Sequence, residues 1–164
     1  MSATTPTTPP PTRFPDELVS SSLFLLKRLG MTAKEQSVAA YDGAGLHPYH
    51  HAILVLLDEG PPATQGSIAD ALGYDKGQLV GLLDELEDAG LVERNRDPSD
   101  RRRHVVRMTP AGTKMLARLR TLSAELDDEF FGTLDAAQRE QLHRLLLRLA
   151  EQHLPHCRTP PAAP

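Results

Sequence analysis

A chain of 164 residues, 40% of them hydrophobic, is long enough for one domain with a sizeable core. Aromatics make up only 4% and Trp is absent, so Leu and Ala carry the packing, which favours helices over sheet. The net charge of −4 excludes an argument for nucleic-acid binding from overall basicity, and the single cysteine, Cys157, excludes an intramolecular disulfide framework.

No apolar run approaches the ~20 residues a membrane span needs, and no charged start leads into an apolar leader segment, so a cytosolic protein with no membrane partner is expected. Residues 1–15 are rich in Thr and Pro with almost no apolar content, and 155–164 are similar; both are expected to be disordered tails, because burial cannot offset their ordering entropy. Leu18, Leu25, Leu26 and Leu29 start a helical pattern that continues through Val38 and Tyr41. Gly30 interrupts it and Thr32-Ala-Lys-Glu35 has capping-box spacing, which leaves open one long kinked helix or two pieces end to end. Asp42-Gly-Ala-Gly45 breaks the pattern. Pro48 then suits the first turn of a helix with Ile53, Leu54, Leu56 and Leu57 on its apolar face, closed by Gly60-Pro-Pro62.

Thr64 is the expected N-cap of a short helix with Ile68, Ala69 and Leu72 inward, ended by Gly73. Asp75 opens the next, and Leu79, Leu82, Leu83 and Leu86 fall at i, i+3, i+4 and i+7, one inward stripe that stops at Gly90. Two strand-like runs follow, Leu91–Arg94 and His104–Met108, around a polar turn. Thr109-Pro110 opens a long helix with Met115, Leu116, Leu119, Leu122 and Leu126 on one side, and Asp135-Ala-Ala-Gln138 opens the last, with Leu142, Leu145, Leu146 and Leu149. The fold class is therefore mainly α with a small β-hairpin: a winged helix–turn–helix domain over 48–109, between an N-terminal dimerisation helix region, 16–47, and C-terminal dimerisation helices, 110–154.

The hairpin carries the chemistry. Six of the chain's 18 Lys and Arg residues, Arg94, Arg96, Arg101, Arg102, Arg103 and Arg107, fall within it. Guanidinium groups at a tip gain little from a protein core and much from a polyanion, since each neutralised phosphate releases condensed counterions. A helix–turn–helix ahead of such a wing places its second helix, 75–89, in the major groove of double-stranded DNA, with the wing at 91–108. With the leucine stripe buried, the outward positions are Lys76, Gly77, Val80 and Gly81. Lys76 reaches a phosphate, Gly77 lets the helix start approach closely, and Val80 meets a thymine methyl. Gln78 fits either an adenine contact or the capping box with Asp75.

The strings Ile68-Ala-Asp-Ala-Leu-Gly-Tyr-Asp-Lys-Gly, Leu86-Glu-Asp-Ala-Gly-Leu-Val-Glu-Arg, Asp97-Pro-Ser-Asp-Arg-Arg and Met108-Thr-Pro-Ala-Gly112 strongly resemble the MarR (multiple antibiotic resistance regulator) family, over roughly 18–149. The resemblance implies a homodimeric transcriptional regulator without catalysis, whose outer helices form the dimer and whose winged domains read a palindromic operator. It also implies that Asp100 orients Arg102 and that Arg102 enters the minor groove. The chain departs from the family pattern at Gly77, Val80 and Gly81, where relatives carry Ser or Thr, a polar residue and Arg, so direct base readout is expected to be thin. His47 stands where a helix-opening Thr is expected, a weaker cap.

His47, His50 and His51 cluster at one helix start. His47 and His51 share a face, a spacing that can hold a metal, but no Cys lies nearby and no third ligand can be named, so no metal or cofactor is assigned. The resemblance implies an effector pocket between the dimer helices and the winged domain, which makes Lys27, Arg28, Tyr41, His47, Tyr49 and His51 candidates to hold a small aromatic effector. An aromatic carboxylate is the expected type, held more tightly as the histidines protonate toward about pH 6.5. Cys157 reads as an incidental thiol, and Asp84, Glu85, Glu87 and Asp88 as a solvated face. Two rival functions remain: a histidine-cluster metal-binding protein or metal-dependent enzyme, and a winged domain used only for protein contacts.

Overall fold

Side-chain caps set nearly every helix start in this chain. The computed structural model describes residues 13–61, 63–97, 100, 103–154 and 157. Along it run α1 (Asp16–Val19), α2 (Ser22–Asp42), α3 (Pro48–Glu59), β1 (Ala63–Thr64), α4 (Gln65–Leu72), α5 (Lys76–Asp88), β2 (Val92–Arg96), β3 (His104–Met108), α6 (Pro110–Phe130) and α7 (Ala136–His153). Thr64, Asp75, Thr109 and Asp135 each accept a backbone N–H of the following first turn, and Gly73 closes α4 at φ 66°, a left-handed position that favours glycine.

The chain forms two compact units, one ending at Glu35 and the other beginning at Gln36. In the first, Phe14 meets the Phe24 ring edge-on with centroids 5.3 Å apart, and the Arg28 guanidinium lies 5.2 Å above the Phe14 ring. Gly30 sits inside α2 without breaking it. Thr32 does not open a new helix; its hydroxyl donates to the Arg28 carbonyl one turn back, 3.2 Å away.

The second unit holds the core. Ile53 and Leu54 of α3, Ile68 of α4, Leu79, Leu83 and Leu86 of α5, Val106 of β3, and Leu116 and Leu119 of α6 are all fully buried together. The α5 stripe faces inward as its spacing predicts. The sheet has the order β1-β3-β2, all antiparallel, with Ala63 and Val92 on opposite sides of β3, registered to Val106 and Met108. β1 was not anticipated. Two residues, Ala-Thr, carry no alternation to read, and the pair forms because β3 would otherwise leave an edge of unpaired backbone groups. α7 opens with a reciprocal capping box between Asp135 and Gln138, yet it has no buried residue among those described.

The junction of wing and α6 is tight. The Thr109 hydroxyl accepts the Gly112 N–H at 3.0 Å and donates to the Gly90 carbonyl at 2.7 Å. A Cβ on Gly112 would stand 2.1 Å from the Leu91 carbonyl oxygen, whereas one on Gly81 would meet nothing within 4 Å. The two glycines therefore respond oppositely to alanine. Gly112→Ala is expected to destabilise by about 1–3 kcal/mol, since backbone rather than a flexible side chain must yield. Gly81→Ala is expected to stabilise by about 1 kcal/mol through helix propensity. Urea midpoints check both, and an unshifted Gly112→Ala midpoint would contradict the α6–Leu91 contact.

Candidate nucleic-acid interface

Burial of the leucine stripe turns the opposite side of α5 outward. Lys76, Gly77, Gln78, Val80 and Gly81 are all exposed. Asp75 accepts the N–H groups of Gly77 at 2.8 Å and Gln78 at 3.1 Å, a one-sided cap, so the Gln78 side chain is left for the outer face. A Cβ at Gly77 would lie 3.1 Å from the Asp75 carboxylate, which gives that glycine a local reason as well.

On the wing, Arg96 is exposed opposite His104 near the end of the hairpin. Arg103 is exposed too; its N–H donates to the Asp100 carbonyl, and its Nε stands 3.6 Å from the Asp100 carboxylate. Arg101 and Arg102 lie outside the described residues, and with them the expected Asp100–Arg102 contact.

Arg94 is already engaged within the chain. It was expected to face DNA, but it points at α5: its Nε donates to Glu87 Oε2 at 2.8 Å, its own backbone N–H donates to Glu87 Oε1 at 3.1 Å, and a terminal nitrogen lies 2.6 Å from Asp84. The hydrogen bonds from Arg94 hold the Glu87 carboxyl below the usual carboxylate range. Strand alternation was the available signal, since Arg94 lies two residues after Val92, which is buried, and so shares its face. The acidic run is solvated, as expected, but not without partners. Asp84 and Glu87 hold Arg94, and Glu85 meets His50, so three of the four carboxylates are engaged.

A groove of about 430 Å³ that the sequence reading missed runs from the start of α4 to the wing. Thr64, Gln65, Ser67 and Asp70 line one side and Arg103 and His104 the other. Thr64 was legible only as a cap; its closeness to the wing depends on the unforeseen β1–β3 pairing.

The candidate ligand residues separate. Lys27 and Arg28 lie on α2 in the first unit. His47 is not a weak cap: its Nδ1 accepts the Tyr49 N–H at 3.2 Å, while His50 Nδ1 accepts the His47 N–H at 3.0 Å, a capping box built from two histidines. The Tyr49 ring meets those of His47 and Tyr74 at tilted angles, with centroids at 4.6 and 5.0 Å. His51 turns away to the Tyr41 hydroxyl, 2.6 Å from its Nδ1, and its Nε2 is buried with no hydrogen-bond partner among the described residues.

His50 is the residue the candidate set lacked. It is 2% exposed, and its Nε2 stands 3.0 Å from the Glu85 carboxylate. His50, Glu85, His47, Asp42, Val38 and Leu46 line a cavity of about 270 Å³. Among the described residues no group of three or more His, Cys, Asp and Glu is placed to hold a metal.

Burial pushes the His50 imidazole below its ordinary pKa, with His47 adding to the effect and Glu85 opposing it; burial and Arg120 do the same to His51. Both shifts oppose protonation of His50 and His51 and so weigh against those two rings holding an anion by charge. The depressed values set the sign of a stability effect. A folded state that binds fewer protons than the unfolded one keeps its full stability above about pH 6.5, and it loses stability as pH falls below that. Thermal melts are expected to show a lower midpoint at about pH 5.5 than at about pH 7.5. His51→Gln should melt lower at high pH but with a flatter dependence, and an unchanged slope would remove His51 from this linkage.

Comparison with known proteins agrees with this geometry. A family model described as the MarR family matches residues 44–103. A putative transcriptional regulatory protein for the hcr operon of Thauera aromatica is 34% identical over 108 residues, 66% of this chain and 65% of that protein's length. Among solved structures, the transcriptional repressor CouR bound to a 23-mer DNA duplex is 33% identical with a TM-score of 0.76, covering 85% of this chain and 99% of that one. CouR from Rhodococcus jostii RHA1 bound to p-coumaroyl-CoA is 26% identical with a TM-score of 0.69, covering 83% and 96%. The chain belongs to the MarR family of winged-helix, DNA-binding transcriptional regulators.

Proposed function

We propose that the chain works as a homodimer that reads a palindromic operator and releases it when a small aromatic effector binds. The observation that carries the DNA-reading part is the exposed Lys76–Gly81 side of α5 beside an arginine-bearing hairpin. Support for the dimer comes from surfaces that one copy leaves open. Leu18, Leu23, Leu26 and Leu29 near the start, and Leu145, Leu147 and Leu149 of α7, are between 41% and 77% exposed. Exposed leucine-rich helix faces of this kind suit an interaction site. A two-fold pairing would set two recognition helices about 34–36 Å apart, one turn of DNA.

On this reading α5 supplies Lys76 to a phosphate and Gln78 and Val80 to base edges. Arg96, Arg101, Arg102 and Arg103 of the wing, with the α4 start, grip the flanking backbone and minor groove. Few side chains here make bidentate base contacts, so selectivity rests on DNA shape, with A·T-rich flanks preferred under the wing. Selection from a random DNA pool is expected to return a palindrome, bound by two chains in sedimentation. Arg102→Ala is expected to weaken binding more than Lys76→Ala and to reduce the salt slope by about 1. Equal affinities for wild type and Arg102→Ala across a salt titration would overturn the wing assignment.

The effector site is the 270 Å³ cavity at His47 and His50. Tyr41 and His51, bonded to each other, are left out of it. Asp42 and Glu85 line it and no Lys or Arg does among the described residues, which disfavours a free carboxylate and suits an uncharged aromatic ring between Val38 and Leu46. Because Glu85 belongs to α5, a ligand there acts on the recognition helix; it lowers DNA affinity only by binding better to the DNA-incompetent arrangement. In calorimetry, neutral phenols are expected to bind more tightly than the matching aromatic acids, and Glu85→Gln to narrow that gap. An acid that binds wild type and Glu85→Gln alike would place the pocket elsewhere.

A further inference from the structure

Only Ala89, Gly90 and Leu91 link α5 to β2, yet wing and recognition helix must meet the same stretch of DNA together. β2 is an edge strand, so the N–H groups on its outer side have no strand partner. Glu87, in the last turn of α5, takes one of them: one carboxylate oxygen accepts the Arg94 backbone N–H and the other accepts the Arg94 guanidinium, which also reaches Asp84. Arg94 stands opposite Val106 in mid-hairpin, and the strands run on past it through Asn95 and Arg96 on one side and Val105 and His104 on the other. The contact thus sits at the base of the projecting part, and it fastens backbone as well as side chain.

We infer that Glu87 and Arg94 form a clamp that sets the angle of the wing against the recognition helix, so that Arg94 serves DNA binding as a positioning residue and not as a phosphate contact. A carboxylate this near a polyanion repels it. If Arg94 were a phosphate ligand, or if only net charge mattered, removing the Glu87 charge would tighten binding by lessening repulsion and freeing the guanidinium. If Glu87 positions the wing, the same change weakens binding. The two readings differ in sign.

Glu87→Gln keeps the size of the side chain and is tested in the full chain with a selected operator duplex. Affinity is expected to fall about tenfold, the scale of one lost charge-assisted hydrogen bond. Hydroxyl-radical footprints at saturating protein report only folded, bound molecules, and they are expected to lose protection in the flanks while the centre of each half-site stays protected. The exchange Glu87→Arg with Arg94→Glu leaves net charge unchanged and is expected to bind at least severalfold better than Arg94→Glu alone. Equal or tighter binding by Glu87→Gln would overturn the clamp. So would a footprint weakened evenly across the site, or an exchange no better than Arg94→Glu.

Discussion

The exposed side of α5 is set by the burial of four leucines on its other side. Leu79, Leu82, Leu83 and Leu86 are no more than 8% exposed, packed with Ile53 and Leu54 of α3 and Ile68 of α4. Each fully buried leucine stabilises by about 1.5–3 kcal/mol relative to exposure, far more than any surface ion pair. That burial fixes the rotation of the helix about its axis. Lys76, Gly77, Gln78, Val80 and Gly81 are left outward because Leu79 and the leucines after it are turned in. The acidic residues of the second half are placed by the same rotation, which brings Asp84 and Glu87 to β2 and Glu85 to α3.

An acidic chain that binds DNA has to manage its own charge. Net charge is −4, and the second half of the recognition helix carries Asp84, Glu85, Glu87 and Asp88. Arg94 draws two of these carboxylates into ion pairs. Pairing with Arg94 offsets part of their charge near the wing. Ion pairs this exposed add little stability. What they supply is geometry, because a guanidinium held by Glu87 and Asp84 fixes two elements that only three residues connect.

Much of the fold was legible because its signals are local. Capping at Thr64, Asp75, Thr109 and Asp135, the left-handed Gly73 and the α5 leucine spacing each depend on residues within about one or two helical turns. Misreadings arose where a long-range partner decides. Arg94 reads as a phosphate ligand by composition, and its true neighbour lies seven residues back on another element. β1 is invisible because pairing with β3, not its own two residues, makes it a strand. His50 was passed over because the i, i+4 spacing singled out His47 and His51, whereas its Nδ1 caps the helix and its Nε2 faces α5. The exposed face of α5 was readable in full; the cavity beside it was not, since it draws on the end of α2, the start of α3 and the second half of α5.

The two-histidine cap ties these parts together. A Thr or Asp at position 47 would cap α3 with a short side chain that has no ring to set against Tyr49, while its backbone N–H could still donate to His50. His47 instead caps through a ring that meets that of Tyr49, and its N–H fixes His50 with Nδ1 as acceptor, so that the neutral ring carries its proton on Nε2, toward Glu85. The start of α3 is thus joined to the recognition helix through a buried imidazole, and Tyr49 touches Tyr74, the residue before the α5 cap. A ligand that displaced either ring would disturb both the cap of α3 and the seating of α5. Coupling between a cavity and a DNA-reading helix needs an element that both sites bias. If the proposed effector occupies this cavity, the contacts from His47 through His50 to Glu85 are the element that it would bias.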